Sequence, residues 1–361
     1  MAASQHSAGH GRRREAGHLI VGQGLAGTCL AWELLRRGQS VCIVDRGDPM
    51  TASKISAGLL NPIIGRNFNL SWRFRETFEA AADFYRTLEG ILRTRFFRPR
   101  RLVRLFKDER EAEVFRRKDA EGRYEGLLSD PQPQPLVPAG VRNELGGFEI
   151  AVSGSVDTRR FLAASRAHFN DLGAFLERDC RSEDIEATDH GVRWQEIKAR
   201  HAALCRGYSG AGDPWFPSIP FRSAKGEILE VEIESFREER ILNRGNWLFP
   251  AADGLHRTGT TYSWDPLDTN PTAEARAVIE KRLRGLLPEA RWSVASHHAA
   301  VRPIVTGRKP VLGRHPEQPA LVVFNGLGSK GALHAPWCAA QLAAHLVEDA
   351  PLDPEVDLAR R

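Results

Sequence analysis

The chain has 361 residues, 42% apolar and 27% charged, a globular balance that excludes a disordered or collagen-like protein. At about twice the usual length of one domain, it is expected to hold two domains, or one large α/β unit with an insertion. The net charge of +5 is uneven: residues 1–17 carry +2 and residues 91–107 carry +7, which leaves −4 elsewhere.

Residues 1–16 are small, polar and aperiodic, and are expected to be a disordered basic tail without the apolar core of a secretory signal. His18-Leu19-Ile20-Val21 has strand length and runs into Gly22-Gln23-Gly24-Leu25-Ala26-Gly27. A helical pattern (Leu30, Leu34, Leu35) follows and closes at Gly38, and a second strand, Val41 to Val44, ends at Asp45. These parts fill one βαβ unit. Residues 46–68 read as a loop. From Ser71 the apolar positions Phe74, Phe78, Ala81, Tyr85, Leu88 and Leu92 share one helix face.

In the basic stretch, Leu102, Arg104 and Phe106 alternate with Val103, Leu105 and Lys107, which predicts a solvated strand rather than a nucleic-acid footprint. A charged helix near 108–120 and a turn-rich segment from Pro131 to Pro138 come next. Asp157 is expected to cap a helix through Leu172 that Gly173 ends, and Ala202 to Leu204 is a short strand leading to Cys205-Arg206-Gly207. Residues 221–262 hold three β-like runs without long helices between them, so a mostly antiparallel sheet is expected. A helix near 272–286 follows. The C-terminal part repeats the opening: strand Leu321 to Phe324, the loop Gly326-Leu327-Gly328-Ser329-Lys330-Gly331, then an Ala-rich helix to about Leu346.

The N-terminal glycine turn has the context of a dinucleotide site. Gly22 makes the tight turn, Gly24 lets a pyrophosphate approach the backbone, and Gly27 lets the helix pack on the strand. The helix N-terminus favours the phosphates, and Asp45 would accept hydrogen bonds from a ribose. Asp45 argues against NADP, although the neighbouring Arg46 softens that point; FAD and NAD remain open at this stage. No cysteine pair has Cys-x-x-Cys spacing, and Cys29, Cys42, Cys180, Cys205 and Cys338 are odd in number. That excludes a disulfide scaffold and suggests a cytoplasmic protein. His297 and His298 are adjacent on a strand and point apart, so no metal is expected.

The chain resembles the D-amino-acid-oxidase-like family of FAD-dependent oxidoreductases, which includes glycine oxidases, D-amino acid dehydrogenases and sarcosine oxidases. The resemblance runs from residue 17 to about 350. It rests on the glycine fingerprint, Thr51-Ala52-Ser53 to Ala57-Gly58-Leu59, Gly154-Ser155-Val156-Asp157, Phe221 to Glu227 and the Gly-Thr-Thr-Tyr run at 259–262. Above all it rests on Val301-Arg302-Pro303, Lys309-Pro310-Val311-Leu312-Gly313 and the second glycine loop. The run Phe324 to Ser329 resembles the FAD domain of the bifunctional bacterial enzyme that trims the carboxymethylaminomethyl group of tRNA wobble uridine.

The resemblance implies an α/β fold: a discontinuous Rossmann-type FAD-binding domain with an inserted, mostly antiparallel α+β substrate domain. The expected FAD-binding segments are 17–90, 151–215 and 303–355, with 91–150 and 216–302 forming the substrate domain. It implies non-covalent FAD, since no cysteine lies between Cys205 and Cys338 to carry a link. The implied cofactor residues are Gly22, Gly24, Leu25, Ala26, Gly27, Asp45, Arg46, Ser53, Ser56, Ala57, Gly58, Leu59, Gly207, Gly326, Leu327, Gly328, Ser329, Lys330 and Gly331. Lys330 has two readings, a point charge at the flavin or a solvent-facing side chain.

Arg302 matches the family's substrate-carboxylate arginine, and Tyr262 and Trp247 are candidate pocket walls. The implied activity is oxidation of the C–N bond of a small amino acid or secondary amine by hydride transfer to flavin N5. Electrons would then pass to oxygen, a quinone or another carrier. Two alternatives stand beside it: oxidative trimming of a carboxymethylamino group on a tRNA wobble uridine, with tRNA the less favoured partner, and a flavin-binding module without turnover.

Overall fold

The computed structural model describes residues 14–251 and 254–360. Its larger sheet has eight strands, and its spine runs Phe175–Glu177, Val41–Asp45, Arg14–Val21, Ile197–Leu204. These four are parallel. The far edge of strand 197–204 is shared: its first half pairs antiparallel with Gly191–Trp194, and its second half pairs in parallel with Leu321–Asn325.

Alternation along these strands feeds two cores. Ile20, Ile43, Ala203, Val322 and Phe324 face a layer of helices: α1 (Leu25–Arg36), α3 (Phe74–Leu92), α5 (Thr158–Asp171) and α7 (Gly331–Glu348). Between α1 and α3 lies a single turn, α2 (Ala52–Ile55), and between α3 and α5 lies α4 (Glu109–Ala120). Leu19, Val21, Cys42, Val44, Ala202 and Leu204 face the opposite core with Trp194, Phe216 and Ile219. Buried on both faces, such strands read in the sequence as continuous apolar runs.

The second sheet has seven strands in the order Trp292–Arg302, Ala224–Ile233, His256–Gly259, Trp247–Pro250, Ile241–Asn243, Leu102–Leu105, Gly147–Ile150. All neighbours are antiparallel except 241–243 and 102–105. One face carries Leu229 and Val231 against Ile279 and Leu283 of α6 (Ala273–Leu286). On the other face Ile228 and Ala300 pack on Ile55 of α2.

Two expectations need correction. Residues 14–16, expected in the tail, pair with 197–199 as the start of the first strand; residues 1–13 lie outside the described residues. The 102–105 strand is not solvated: all four residues are buried because strands flank it on both edges. Its Arg104 stays inside by donating to Asn243 Oδ1 at 2.9 Å and lying 5.1 Å over the Phe68 ring. Residues 97–99 pair with 154–156, and Phe216 and Ile219 cover the larger sheet.

His18 and His201 stack across paired strands at 5.1 Å, with Nδ1 atoms 3.4 Å apart. Arg314 donates to His201 Nε2 at 2.7 Å, a bond that needs a neutral imidazole. Burial, then Arg200, lowers the His18 pKa to about 4; burial, then Arg314, lowers that of His201 to about 3. The unfolded chain therefore binds more protons than the folded one below about pH 6.5, and stability falls with pH from there to about pH 4. The loss should be on the order of 2–4 kcal/mol by pH 5. In thermal melts across this window, His201→Gln should flatten the decline; an unchanged slope would mean that other groups drive it.

Candidate functional site

A cavity of about 490 Å³ opens at the carboxyl ends of the parallel strands, where Val21, Val44, Asp45, Cys205 and Asn325 form its floor. In open α/β sheets this crevice is where ligands bind, because strand ends and helix N-termini converge there. Its rim adds the 50–56 segment, Arg178 to Cys180, Arg206 to Ser209, and Leu327, Gly328 and Gly331.

The first glycine turn is shaped by what would collide. Gly22 has φ +106°, and a Cβ there would sit 2.5 Å from Cys205 O; a Cβ on Gly27 would sit 1.9 Å from Gly22 O. At Gly24 a Cβ would approach Ser53 Oγ to 2.9 Å. That hydroxyl accepts from Leu25 N–H at 3.0 Å, and Gly24, at the start of α1, has no side-chain cap. An uncapped helix end, a bare backbone and a serine whose oxygen is already an acceptor, leaving its proton to donate, fit a pyrophosphate. The residues present thus fit FAD.

Asp45 organises the turn as well as facing the cavity. Its Oδ2 accepts from Gln23 N–H at 2.8 Å; its Oδ1 accepts from Gly47 N–H at 2.8 Å and Arg166 Nη2 at 3.1 Å. Arg166 was invisible in the sequence, because it reaches Asp45 from α5, 121 residues away. Asp48, Met50, Tyr208, Asp268 and Thr269 also line the cavity without any sequence signal; Asn325 lines it too, and lies within the Phe324 to Ser329 run but is not among the expected site residues.

Of the expected cofactor residues, Gly22, Gly24, Leu25, Ala26, Asp45, Arg46, Ser53, Ser56, Gly207, Leu327, Gly328 and Gly331 line the cavity. The others do not. Gly27 lies behind the turn, and Gly58 is pressed against Val156, where a Cβ would come within 1.9 Å of the carbonyl. Leu59 pairs with Ser155, and Ala57 packs between two apolar clusters. Gly326 is buried against Val305, and Ser329 is exposed. Lys330 sits at the N-cap of α7, partly buried, and burial followed by Arg308 lowers its pKa to about 8. All five cysteines are buried thiols, and desolvation pushes that of Cys180, on the cavity wall, up to about 12.

Neither Arg302 nor Tyr262 lines the cavity, although Val301 and Pro303, on either side of Arg302, do. The Arg302 guanidinium crosses the neighbouring strand over Gly226, where a Cβ would lie 1.8 Å from Nη2. It donates to Thr260 Oγ1 at 2.6 Å and Thr261 O at 3.2 Å, and lies 4.2 Å over the Tyr262 ring. Burial lowers its pKa, and no carboxylate pairs with it among the described residues. His297 and His298 point apart, to Glu227 at 2.8 Å and Glu230 at 3.5 Å. No group of three metal-ligating side chains occurs among the described residues, and no helix there is long and apolar enough to cross a membrane.

Asp45→Ala should weaken FAD by about 1–3 kcal/mol, the cost of losing a charged hydrogen-bond partner. Titration of apoprotein with FAD measures it, and an unchanged dissociation constant would mean the dinucleotide is held elsewhere.

The DAO family profile, described as FAD dependent oxidoreductase, matches residues 18–345. Among curated proteins the chain is 26% identical, over 94% of its length, to the tRNA 5-methylaminomethyl-2-thiouridine biosynthesis bifunctional protein MnmC of Azoarcus sp. (strain BH72). It spans 58% of that relative. The glycine oxidase of Geobacillus kaustophilus superposes with TM-score 0.79 at 21% identity, covering 94% of this chain and 97% of that one. For the iminodiacetate oxidase of Chelativorans sp. BNC1 the TM-score is 0.74 at 21% identity, covering 93% and 96%. These likenesses establish the fold, and the profile match spans most of the chain. The protein belongs to the DAO family of FAD-dependent oxidoreductases.

Proposed function

We propose that the protein oxidises the C–N bond of a small amino acid or secondary amine of the form R–NH–CH2–COO⁻. The observation that carries this reading is Arg302, a largely desolvated guanidinium with no acidic partner among the described residues. A buried cation without a counterion is costly, and a planar fork suits a carboxylate. Glycine and iminodiacetate, named for two structures of this fold, both carry an N–CH2–carboxylate unit.

Thr260, Thr261 and Tyr262 would hold the Arg302 fork in place, and Gly226 leaves room for it. Gly22 to Ala26, Ser53 and Asp45 would hold the dinucleotide. When bound, FAD supplies the hydride acceptor. The substrate carboxylate held by Arg302 fixes the α-carbon, and a neutral amine supplies the electron pair for the C=N bond. Water then splits the imine into an amine and an oxoacid.

A second reading, the same unit carried on a tRNA wobble uridine, is favoured by the match to the bifunctional tRNA-modifying relatives. Arg93, Arg95, Arg98 and Arg101 are exposed in the basic segment. That segment leads into strand 102–105, five strands from the strand of Arg302. At about 4.8 Å per strand this is roughly 24 Å, beyond the reach of a small substrate and within that of an RNA. Retention of tRNA that falls steeply with salt separates the two readings.

Arg302→Met should keep FAD and raise KM for a carboxylated amine at least tenfold, about 1.4 kcal/mol. Lysine should rescue only in part, since it offers a point charge in place of a fork. Gly226→Ala, which displaces the guanidinium, should act in the same direction. Equal losses with an amine that lacks the carboxylate would assign Arg302 to structure alone. Anaerobic bleaching of the flavin absorbance by a panel of such amines tests turnover itself; bleaching by none would favour a binding module.

A further inference from the structure

Helix α2 is a single turn, so its carbonyl end has no intrahelical donors. Two arginines from different elements supply them. Arg159, on α5, donates from Nε to Lys54 O at 3.0 Å. Arg257, on strand 256–259, donates from Nη2 to Ile55 O at 2.7 Å and from Nη1 to Ser56 O at 2.8 Å. A buried guanidinium thus grips two successive carbonyls, and a second one grips the carbonyl before them.

Both arginines meet at one carboxylate. Glu230, opposite Arg257 in the sheet register, has Oε1 3.3 Å from Arg159 Nη1 and 3.5 Å from Arg257 Nε. Its Oε2 accepts from Ser296 at 2.6 Å and lies 3.5 Å from His298 Nε2. Bonding from His298 and Ser296, with the two arginines, holds the Glu230 carboxyl down to about 2, so it is ionised at neutral pH. The network therefore spans α5, the antiparallel sheet and α2. The held segment carries Ser53, which meets the N-terminus of α1, and Ser56 on the cavity wall.

We propose that Arg257 and Arg159, braced by Glu230, are positioning residues for FAD. They fix the carbonyl end of α2 and so set Ser53 and Ser56 at the pyrophosphate side of the cavity, without touching the cofactor. The inference rests on the family's FAD and not on the substrate reading, so a wrong substrate leaves it standing. Two adjacent carbonyls need two donors in a fixed fork, which an ammonium does not provide.

The test measures FAD dissociation and amide hydrogen exchange on the full chain. Arg257→Met should raise the FAD dissociation constant at least tenfold and speed exchange across residues 54–59 in FAD-saturated protein. Arg257→Lys should recover only part of the affinity. Arg159→Met, on the more exposed side of the network, should raise the constant severalfold with little change in the apoprotein melting temperature. Val103→Ala, a buried truncation at the other end of the same sheet, should lower that temperature and leave FAD affinity unchanged. If Arg257→Met does not fold, Arg159→Met and Glu230→Gln carry the test. FAD constants within twofold of the parent in the arginine variants would overturn the proposal. So would weaker FAD with unchanged exchange at 54–59, or an equal loss of affinity in Val103→Ala.

Discussion

Everything at the cofactor end depends on one close approach, that of α1 to the strand before it. A methyl group on Gly27 would lie 1.9 Å from the Gly22 carbonyl, so the helix can start where it does only because that position is bare. The start of α1 then points its first N–H groups at the crevice, and the neighbouring strand ends fix the rest. Asp45 completes the constraint by tying Gln23 and Gly47 N–H groups to the end of the adjacent strand. The carboxylate is thus a cavity-lining group and a structural tie at once, and Arg166 keeps it from carrying an uncompensated charge.

The parts that the sequence displayed are those whose physics is local. The βαβ unit, the face of α3, the Asp157 cap of α5 and the second glycine loop each declare themselves within about twenty residues. Asp157 does accept from Arg160 N–H at 3.0 Å, as its side chain and position predict. The misreadings come from partners far away in the chain. The 102–105 strand looked solvated because it carries an arginine, yet Asn243 and Phe68 satisfy that arginine inside the sheet. Residues 14–16 looked like tail because the sequence there has no apolar periodicity, yet their backbone pairs with 197–199. The longest strand of the antiparallel sheet, Trp292–Arg302, shows mixed burial and so gave no clean alternation to read.

Site residues divide in the same way. A glycine fingerprint is readable because each glycine answers to a neighbour a few residues off or to a ligand. Arg166, Arg257 and Glu230 are not readable, because each acts on a segment over a hundred residues away or on a strand that only the fold brings near. Gly226 is an intermediate case. A glycine inside a strand signals a close approach of something, and here the Arg302 guanidinium occupies the space that any side chain would take.

The proposed pyrophosphate site and the proposed carboxylate site are built differently. At the α1 turn the polar groups are backbone N–H and a serine hydroxyl, and the nearest carboxylate, Asp45, is neutralised by Arg166. Fixed dipoles would hold a permanently charged pyrophosphate without burying a full cation. Around Arg302 the arrangement is reversed: a full cation is held by neutral oxygens and an aromatic face, which orient it without cancelling its charge. A lysine at the N-cap of α7 stands between these cases, since burial and then Arg308 oppose its protonation. An anion placed between that helix end and Lys330 would be stabilised by both at once. The second glycine loop, which brings Gly328 and Gly331 to the cavity wall, leads to that same helix end.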